Sequence, residues 1–279
     1  MSADSQKKRI LLTGATGFLG SHLLEALLKE GYRIVILKRS TSDTWRIAHL
    51  LGRVKSYDVD TQPLELAFEQ QRIDVVMHTA CHYGRNNDAI SSVVESNLMF
   101  GLKLLETAIS FNTDTFFNTD TLLQKHLNVY TLSKKHFVEC LQQLSDKIQV
   151  INLKLEHMYG PKDDETKFVP WVLSQLKANV PKIKLTAGEQ KRDFIYIDDV
   201  VSAYLSTLEK ASELGEFNEF DVGTGQLVSV KDFLEKLKHV YEANLGATDT
   251  RLAFGEIPYR GGEMMTVEVN NQRLLELGW

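Results

Sequence analysis

A glycine-rich segment near the start of the chain, TGATGFLG at residues 13–20, lies between an apolar run and an amphipathic run. The preceding residues, RILLT, have the composition of a buried strand, and the following residues have the apolar spacing of a helix. Glycines 14, 17 and 20 allow backbone amides to approach a pyrophosphate at the helix N-terminus and allow the helix to pack close to the strand. The segment predicts a dinucleotide-binding turn, with an ordinary tight turn as the alternative.

The first half of the chain alternates strand patterns with helix patterns. The predicted strands are 9–13, 32–37, 53–58, 73–79, 115–119 and 148–156, and the predicted helices between them are 18–31, 63–71, 91–110 and 130–144. Such alternation is typical of a parallel sheet with helices on both faces. The predicted fold class is therefore α/β, a Rossmann-type doubly wound parallel sheet.

The regular alternation ends after YGPKDDE at residues 159–165. The remaining sequence mixes short strands with helices, which are predicted over 167–178, 198–209 and 229–243. We expect residues 1–160 to form the cofactor-binding Rossmann domain and residues 193–213 to return to it. Residues 161–279 should form mainly a smaller, C-terminal substrate-binding lobe.

The composition narrows the classes of partner. The chain has 279 residues, of which 43% are hydrophobic and 25% charged, and a net charge of −5, as in ordinary globular proteins. Nucleic-acid binding normally requires a basic excess, so we expect no nucleic-acid partner. The first nine residues lack the apolar core of a signal peptide, and no run approaches the length of a membrane span. We expect a cytoplasmic protein without a membrane partner.

The cysteine and histidine pattern does not indicate a metal site. Cys81 and Cys140 are far apart and lack the CxxC spacing, which argues against a disulfide framework or structural zinc. His78, Cys81 and His82 are close in sequence, but they lie where a strand runs into a loop. We interpret them as a pocket edge and expect no metal.

The end of the second predicted strand reads LKRST, at residues 37–41. An acidic residue at this place binds the ribose hydroxyls of NAD, whereas a cation binds the 2′-phosphate of NADP. Lys38, Arg39 and Ser40 therefore favour NADP, as NADPH in its reduced form, and a solvated basic loop is the alternative. The ends of the next two strands should supply further cofactor contacts: Asp58 and Val59 beside the adenine, and Thr79, Ala80 and Cys81 along the cofactor's path.

Tyr130 and Lys134 are four residues apart on a predicted helix. Their side chains therefore lie on one face, one turn apart, where an ammonium could be held beside a phenol. Thr119 closes the preceding apolar stretch. A tyrosine–lysine pair of this spacing also occurs by chance on solvated helix faces, so the remaining motifs have to decide its meaning.

Further segments follow in a fixed order: VVMHTAC, ESNLMFGLKLLETA, NTDT, YTLSK, LKLEHMYGP, RDFIYIDDV, DVGTG and RGGE. With TGATGFLG they span nearly the whole chain. Together they resemble extended short-chain dehydrogenase/reductases of the NAD-dependent epimerase/dehydratase family, which act on nucleotide sugars. NTDT and LKLEHMYGPKDDETKF resemble CDP-abequose synthase and related 4-ketoreductases of dideoxysugar biosynthesis.

The resemblance implies a role for each residue of the proposed catalytic group. Tyr130 would donate a proton to a sugar carbonyl, Lys134 would lower the phenol's pKa and bind the nicotinamide ribose, and Thr119 would hydrogen-bond the carbonyl oxygen. The residues expected to contact the cofactor also include Gly14, Thr16, Gly17, Phe18, Leu19, Gly20 and Asn97.

The resemblance also implies a substrate site. Arg192 and Arg260 match positions that clamp the substrate pyrophosphate, although either could form a structural ion pair instead. His157 stands where many relatives have an asparagine that contacts the nucleotide sugar. Lys167 and Phe168 complete the expected substrate contacts.

Three reactions share this framework: 4-ketoreduction, 4-epimerisation and 4,6-dehydration. Dehydratases follow the catalytic threonine with an Asp-Glu pair, whereas here Thr121 follows Asp120, so dehydration is not expected. Epimerases recycle tightly held NAD, so LKRST favours reduction, with epimerisation as the alternative. A catalytically silent NADP sensor is the alternative from another class, but such proteins commonly lose the tyrosine or the lysine.

We therefore expect NADPH-dependent reduction of a nucleotide-linked 4-keto sugar. The sugar would be a 6-deoxy or 3,6-dideoxyhexose, CDP-linked, as in O-antigen biosynthesis. The helix over about 88–110 and the helix from Tyr130 resemble the pair that forms a four-helix dimer interface in this family. We expect a homodimer.

Overall fold

The structure, a computed structural model, describes residues 7–85 and 88–279. Its strands are β1 (Arg9–Thr13), β2 (Arg33–Lys38), β3 (Lys55–Asp58), β4 (Val75–His78), β5 (Thr115–Thr121), β6 (Gln149–Leu155), β7 (His157–Tyr159), β8 (Lys182–Lys184), β9 (Lys191–Arg192), β10 (Phe194–Tyr196), β11 (Phe217–Val222), β12 (Val228–Ser229) and β13 (Arg251–Ala253).

Helices alternate with the strands through the first half of the chain. They are α1 (Phe18–Lys29), α2 (Glu65–Gln70), α3 (Ile90–Val94), α4 (Phe100–Ser110), α5 (Val129–Gln143), α6 (Phe168–Lys177), α7 (Ile197–Glu209), α8 (Val230–Leu245) and α9 (Gln272–Glu276). A π-helical turn, Glu95–Met99, joins α3 to α4. None of the helices in the described part of the chain combines the length and apolar character needed to cross a bilayer.

Seven parallel strands form the central sheet, in the order β11-β6-β5-β4-β1-β2-β3. The chain moves outward from β1 through β2 to β3 and then continues on the other side from β4, so the strand order reverses between β1 and β4. Doubly wound sheets bind ligands outside the carboxyl ends of their strands at this switch point. The predicted α/β fold class is confirmed.

Each face of the sheet is covered by an apolar core. On one face α1 and α7 pack against the strands through residues such as Leu23, Leu27 and Tyr204, all fully buried. On the other face α4 and α5 contribute Leu104 and Phe137. In the predicted strands and helices, the residues that these cores bury are those that the periodicities place inward, so burial explains why the segments adopt their predicted forms.

Two segments near the C-terminus, β11 and α9, pair with or pack against the central sheet. They do so in addition to α7, which lies within residues 193–213. β11 pairs along its length with β6, starting at Phe217 opposite Val150. α9 buries Leu274 in the same core as α1 and α7. The sequence pattern does not predict either of these additions to the sheet domain.

The remaining C-terminal residues form a smaller apolar cluster. α6 and α8 pack over the parallel pair β8–β13, with Val172, Leu176, Ile183 and Leu234 at its centre. Two further strand pairs, β7–β10 and β9–β12, involve the segments that lead out of the sheet and back to α7. The β7–β10 pair brings RDFIYIDDV beside LKLEHMYGP, and the β9–β12 pair joins Arg192 to Val228.

Candidate active site

The glycine-rich turn forms a tight cradle at the carboxyl end of β1. Gly14 has a φ of 69°, and a Cβ there would lie 2.7 Å from the backbone nitrogen of Ala80. A Cβ at Gly20 would lie 2.1 Å from the carbonyl oxygen of Gly14, so α1 can approach β1 only with glycine at this position. The cap residue Gly17 has no side chain to bond the first amides of α1, and the first turn holds no acidic residue. Those amides and the helix dipole are therefore available to an anion.

Hydrogen bonds hold the glycine-rich turn against the carboxyl end of β4. The Thr13 hydroxyl bonds Nδ1 of His78 at 2.9 Å and accepts from the backbone nitrogen of Ala80 at 3.2 Å, while the Thr79 hydroxyl donates to the Thr13 carbonyl at 2.7 Å. Burial, followed by the charge of Lys134, lowers the pKa of His78 to about 3. His78 is therefore a neutral structural residue. No cluster of three metal-ligating side chains occurs within 7–85 and 88–279.

The basic segment after β2 lies beside two carboxylates from the end of β3. The Ser40 hydroxyl donates to Asp58 at 2.7 Å, and the Ser40 backbone nitrogen donates to Asp60 at 2.9 Å. The bond from the Ser40 hydroxyl, together with the backbone N–H of Asp60, lowers the pKa of Asp58, and the charge of Lys38 acts in the same direction. The cations Lys38 and Arg39, which were predicted to bind a 2′-phosphate, thus lie on a segment that is hydrogen-bonded to two carboxylates.

Asn97 lies in the π-helical turn and is fully buried. Its Oδ1 accepts from the backbone nitrogen of His82 at 2.7 Å, and its Nδ2 donates to the His82 carbonyl at 2.8 Å and to the Ser133 hydroxyl at 3.1 Å. These bonds anchor the loop after β4 to α5, next to Lys134. A contact between Asn97 and the cofactor stays a prediction.

Tyr130 and Lys134 lie in the first two turns of α5, as predicted. A capping box fixes where this helix begins: Asn128 Oδ1 accepts from the Thr131 backbone nitrogen at 2.9 Å, and the Thr131 hydroxyl accepts from the Asn128 nitrogen at 3.2 Å. Lys134 is 1% exposed. The Tyr130 ring packs on Tyr83, with ring centroids 5.0 Å apart. The cap therefore sets the position of both side chains relative to the loop after β4.

The electrostatics of this pair differ from the expectation. Burial, then the charges of Cys81 and Asp120, raise the pKa of Tyr130 well above its ordinary value, and only Arg85 acts against them. Burial lowers the pKa of Lys134. Lys134 is not among the groups that act on the phenol here, so the predicted lowering of the phenol's pKa is not what this structure shows. Tyr130 is a protonated phenol throughout the neutral range.

Thr119 and Asp120 point to opposite faces of β5. The Thr119 hydroxyl lies 2.6 Å from the hydroxyl of Tyr204 on α7. Asp120, whose side chain is 1% exposed, pairs with Lys135 at 2.6 Å. Lys135 also donates to the backbone carbonyl of Thr121. Tyr204 and Lys135 were not predicted, because only the fold brings these residues together.

The two arginine motifs of the predicted substrate site meet in space. Arg192 is buried, and it donates to a carboxylate oxygen of Glu263 at 2.6 Å and to the Lys191 carbonyl at 2.8 Å. Glu263 lies one turn from the exposed Arg260, to whose carbonyl its backbone nitrogen donates at 3.1 Å. The ion pair that the sequence left open for Arg192 is therefore present, with Glu263 as the partner.

The other three predicted substrate residues surround the same edge of the sheet. Nδ1 of His157 bonds the buried carboxylate of Glu156, and its ring packs edge-on against Phe194 at 6.0 Å between centroids. Lys167 pairs with Asp163 at 3.1 Å, and its ammonium lies 5.3 Å from the Phe18 ring centroid and 5.5 Å from that of Tyr83. Phe168 begins α6 and is 40% exposed. Lys167 thus joins the glycine-rich turn to the surroundings of Tyr130.

Two residues of the loop after β4 were missed. Tyr83 packs on Tyr130, and the Arg85 guanidinium lies 5.0 Å from the Tyr83 ring and acts on the Tyr130 phenol. Their only sequence signal is that they follow VVMHTAC, whose end had been predicted to line the cofactor's path. The residues of the candidate site include a protonated phenol, a buried amine, a hydroxyl and a helix N-terminus without a side-chain cap.

Comparisons with known proteins identify relatives of this chain. The chain is similar to CDP-abequose synthase of Salmonella typhimurium, with 36% identity over 98% of this chain and 93% of that protein. It is also similar to CDP-abequose synthase of Salmonella muenchen, with 35% identity over 98% and 92%.

Solved structures with the same fold include UDP-glucose 4-epimerase of Thermotoga maritima with UDP-glucose, with a TM-score of 0.84, 22% identity, and coverage of 97% of this chain and 93% of that one. A second is UDP-glucose 4-epimerase of Thermus thermophilus in complex with NAD, with a TM-score of 0.80, 24% identity and the same coverage. The family described as NAD dependent epimerase/dehydratase matches residues 10–223, which include the glycine-rich turn, the tyrosine–lysine pair and β11. The chain belongs to the NAD dependent epimerase/dehydratase family.

Proposed function

We propose that this protein is an enzyme that reduces the 4-keto group of a nucleotide-linked deoxyhexose with NADPH. The observation that carries the proposal is the placement of Tyr130 and Lys134 one turn apart at the start of α5, with a raised pKa for the phenol and a buried amine. Reduction needs a group that gives a proton to the carbonyl oxygen, whereas oxidation of a sugar hydroxyl needs a group that takes one. A raised tyrosine pKa favours the first of these, and the similarity to CDP-abequose synthases supports the same direction.

The residues present fit a nicotinamide dinucleotide. Gly14, Gly17 and Gly20 give the pyrophosphate a cradle in which a Cβ would clash or crowd, at the uncapped N-terminus of α1. Asp58 and Val59 would flank the adenine, and Lys134 would hold the nicotinamide ribose. When bound, the reduced cofactor supplies a hydride to the carbonyl carbon.

The protein's own residues would supply the proton and the orientation. Tyr130 would transfer its phenolic proton to the carbonyl oxygen, which becomes the product hydroxyl, and solvent would later restore the phenol. The Thr119 hydroxyl would hydrogen-bond the same oxygen as negative charge develops there. Asp120 is already paired with Lys135, and Thr121 replaces the glutamate of the dehydratases, so the site does not support dehydration.

The substrate would lie along the carboxyl edge towards the smaller lobe. Arg192 and Arg260 would bind its diphosphate, and the Arg192–Glu263 pair would hold the two motifs in place. His157, Lys167 and Phe168 would complete the sugar and nucleotide contacts. A CDP-linked 6-deoxy or 3,6-dideoxyhexose, as in O-antigen biosynthesis, is the substrate class that the similarity to CDP-abequose synthases supports.

A 4-epimerase is the second candidate. The carboxylates of Asp58 and Asp60 beside Ser40 are the observation that favours it, because acidic groups near the adenosine ribose suit NAD better than NADP. Fold likeness to UDP-glucose 4-epimerases does not add to this, since the identities are 22% and 24%.

The proposal is tested by following NADPH consumption with CDP-, dTDP-, GDP- and UDP-linked 4-keto sugars, with product configuration read by NMR. We expect one NADPH oxidised per sugar, fastest with a CDP-linked substrate. NADPH binding without oxidation by any of these sugars would contradict the proposal and favour a sensor.

Cofactor preference gives a prediction at Arg39. NADPH should bind ahead of NADH, because Lys38 and Arg39 can pair with the 2′-phosphate despite the nearby carboxylates. Arg39→Asp should reduce that preference by about 10- to 100-fold, the scale of a lost charge-assisted hydrogen bond. Fluorescence titration with both cofactors measures it. Arg72→Asp is the control, because Arg72 lies at the amino end of β4, whereas Arg39 follows the carboxyl end of β2. The Arg72 side chain is 86% exposed. Equal affinities of the wild-type protein for NADPH and NADH would refute the assignment.

A homodimer is also proposed, through the helices from Ile90 to Ser110 and α5. Ile90 and Met99 are 65% and 39% exposed on the first of these, which leaves apolar surface for a partner copy. Light scattering at micromolar concentration should give twice the 31.7 kDa chain mass. Met99→Glu should shift that mass towards one chain, and a wild-type monomer would exclude the dimer.

A further inference from the structure

Tyr204 lies in the middle of α7 with no exposed surface. Its ring stacks on Phe117 at 6.4 Å between centroids, within the core formed by α1, α7 and the sheet. Its hydroxyl is 2.6 Å from the Thr119 hydroxyl, and this is its one hydrogen bond to a side chain among the described residues. The hydroxyl of this core tyrosine is therefore hydrogen-bonded to a residue of the proposed active site.

The direction of this hydrogen bond follows from what each hydroxyl can do. If Thr119 were the donor, the proton of the fully buried Tyr204 hydroxyl would have no acceptor, which is a costly arrangement. A phenol is also a stronger donor than an aliphatic hydroxyl. Burial raises the pKa of Tyr204, so the phenol keeps its proton. Tyr204 therefore donates, and Thr119 accepts.

This direction leaves the hydrogen of Thr119 free. Thr119 is only half-buried and lies near the carboxyl end of β5, so its own proton can be donated into the site. The bond from Tyr204 also holds the branched side chain in one rotamer. We propose that Tyr204 is a positioning residue, which holds the Thr119 hydroxyl as a donor to the substrate's carbonyl oxygen. This inference rests on the proposed function, because it assumes that Thr119 acts on that oxygen.

A double-mutant cycle tests whether Tyr204 acts through Thr119. Tyr204→Phe should lower kcat by about 3- to 10-fold and leave the KM for the 4-keto sugar unchanged, the scale of one lost orienting hydrogen bond. In the Thr119→Val background, Tyr204→Phe should cause no further loss. An equal loss in both backgrounds would overturn the inference while leaving the proposed reaction intact.

Thr207→Val is the matched control. Thr207 is a buried residue of the same helix whose hydroxyl bonds the Ala203 carbonyl at 2.8 Å, so the variant removes a core hydroxyl that does not reach Thr119. Its kcat should equal that of the wild type. A loss as large as that of Tyr204→Phe would show a general packing effect and contradict a positioning role.

A crystal structure of Tyr204→Phe gives a readout that needs no turnover. We expect the Thr119 side chain to occupy more than one rotamer or a new one. An unchanged single rotamer would overturn the inference. If the wild-type protein oxidises no NADPH with 4-keto sugars, the proposed function fails, and the rotamer still decides whether Tyr204 orients Thr119.

Discussion

Replacing Tyr130 by phenylalanine should lower turnover of the 4-keto sugar by about 10²- to 10⁴-fold, the range for losing a positioned general acid. NADPH affinity should stay near the wild-type value, because the ring remains packed on Tyr83 and only the hydroxyl is removed. Single-turnover measurement of NADPH oxidation gives the first quantity, and fluorescence titration gives the second.

Tyr83→Phe is the matched control, since it removes the other phenol of the same ring pair. It should retain most of the turnover. A Tyr130→Phe enzyme with more than about a tenth of wild-type turnover would be incompatible with the range above. If Tyr83→Phe showed the large loss instead, the acid would be Tyr83.

The pH profile of kcat gives a separate check on Tyr130. Its raised pKa keeps the phenol protonated across neutral pH, so kcat should not fall because of Tyr130 until the pH exceeds the ordinary tyrosine value of 10.0. A loss of kcat near neutral pH that Tyr130→Phe abolishes would contradict the raised pKa.

Lys134→Ala should reduce both turnover and cofactor affinity. The ammonium is expected to hold the nicotinamide ribose, so its loss should weaken NADPH binding by about 10- to 100-fold, the scale of a charge-assisted hydrogen bond. Turnover at saturating NADPH should also fall, by at least about 10²-fold, because the nicotinamide ribose loses the group that is expected to position it. Titration and single-turnover kinetics separate the two effects.

Lys134→Met distinguishes the charge from packing, because methionine fills much of the same space without a charge. It should show the same functional losses as Lys134→Ala. Burial lowers the pKa of Lys134, so the charged form of this side chain opposes folding. The free energy of unfolding therefore rises with pH between the folded-state pKa and the higher unfolded-state pKa. Lys134→Met should therefore unfold at the same or a higher temperature at neutral pH. An inactive variant that unfolds earlier would indicate a structural role.

The parts of this fold that sequence predicts well depend on short-range rules. The glycine-rich turn could be predicted because Gly14, Gly17 and Gly20 meet steric demands within eight residues. The spacing of apolar residues predicts which face of each strand or helix is buried. β11 was not predicted as part of the central sheet because its sequence, FNEFDV, has no apolar run and places two polar residues side by side. Only pairing with β6 assigns it to the central sheet.

The candidate site depends largely on contacts between residues that are distant in the sequence. Tyr130 and Lys134 could be found because they share one helix, but Thr119 meets Tyr204 across 85 positions of sequence. The raised pKa of Tyr130 likewise depends on burial and on Cys81 and Asp120, which come from two different strand ends. Asn97 was assigned to the cofactor from the resemblance, whereas only the packed structure shows the hydrogen bonds that its amide makes to His82 and Ser133.

Net hydride transfer to carbon 4 is measured most directly with NADPH that carries deuterium at either of the two hydrogen positions of nicotinamide carbon 4. We expect one deuterium at carbon 4 of the product sugar for each NADPH oxidised, from one of the two labelled forms and none from the other. Interconversion of 4-hydroxyl epimers without deuterium uptake and without net NADPH oxidation would contradict reduction and establish epimerisation.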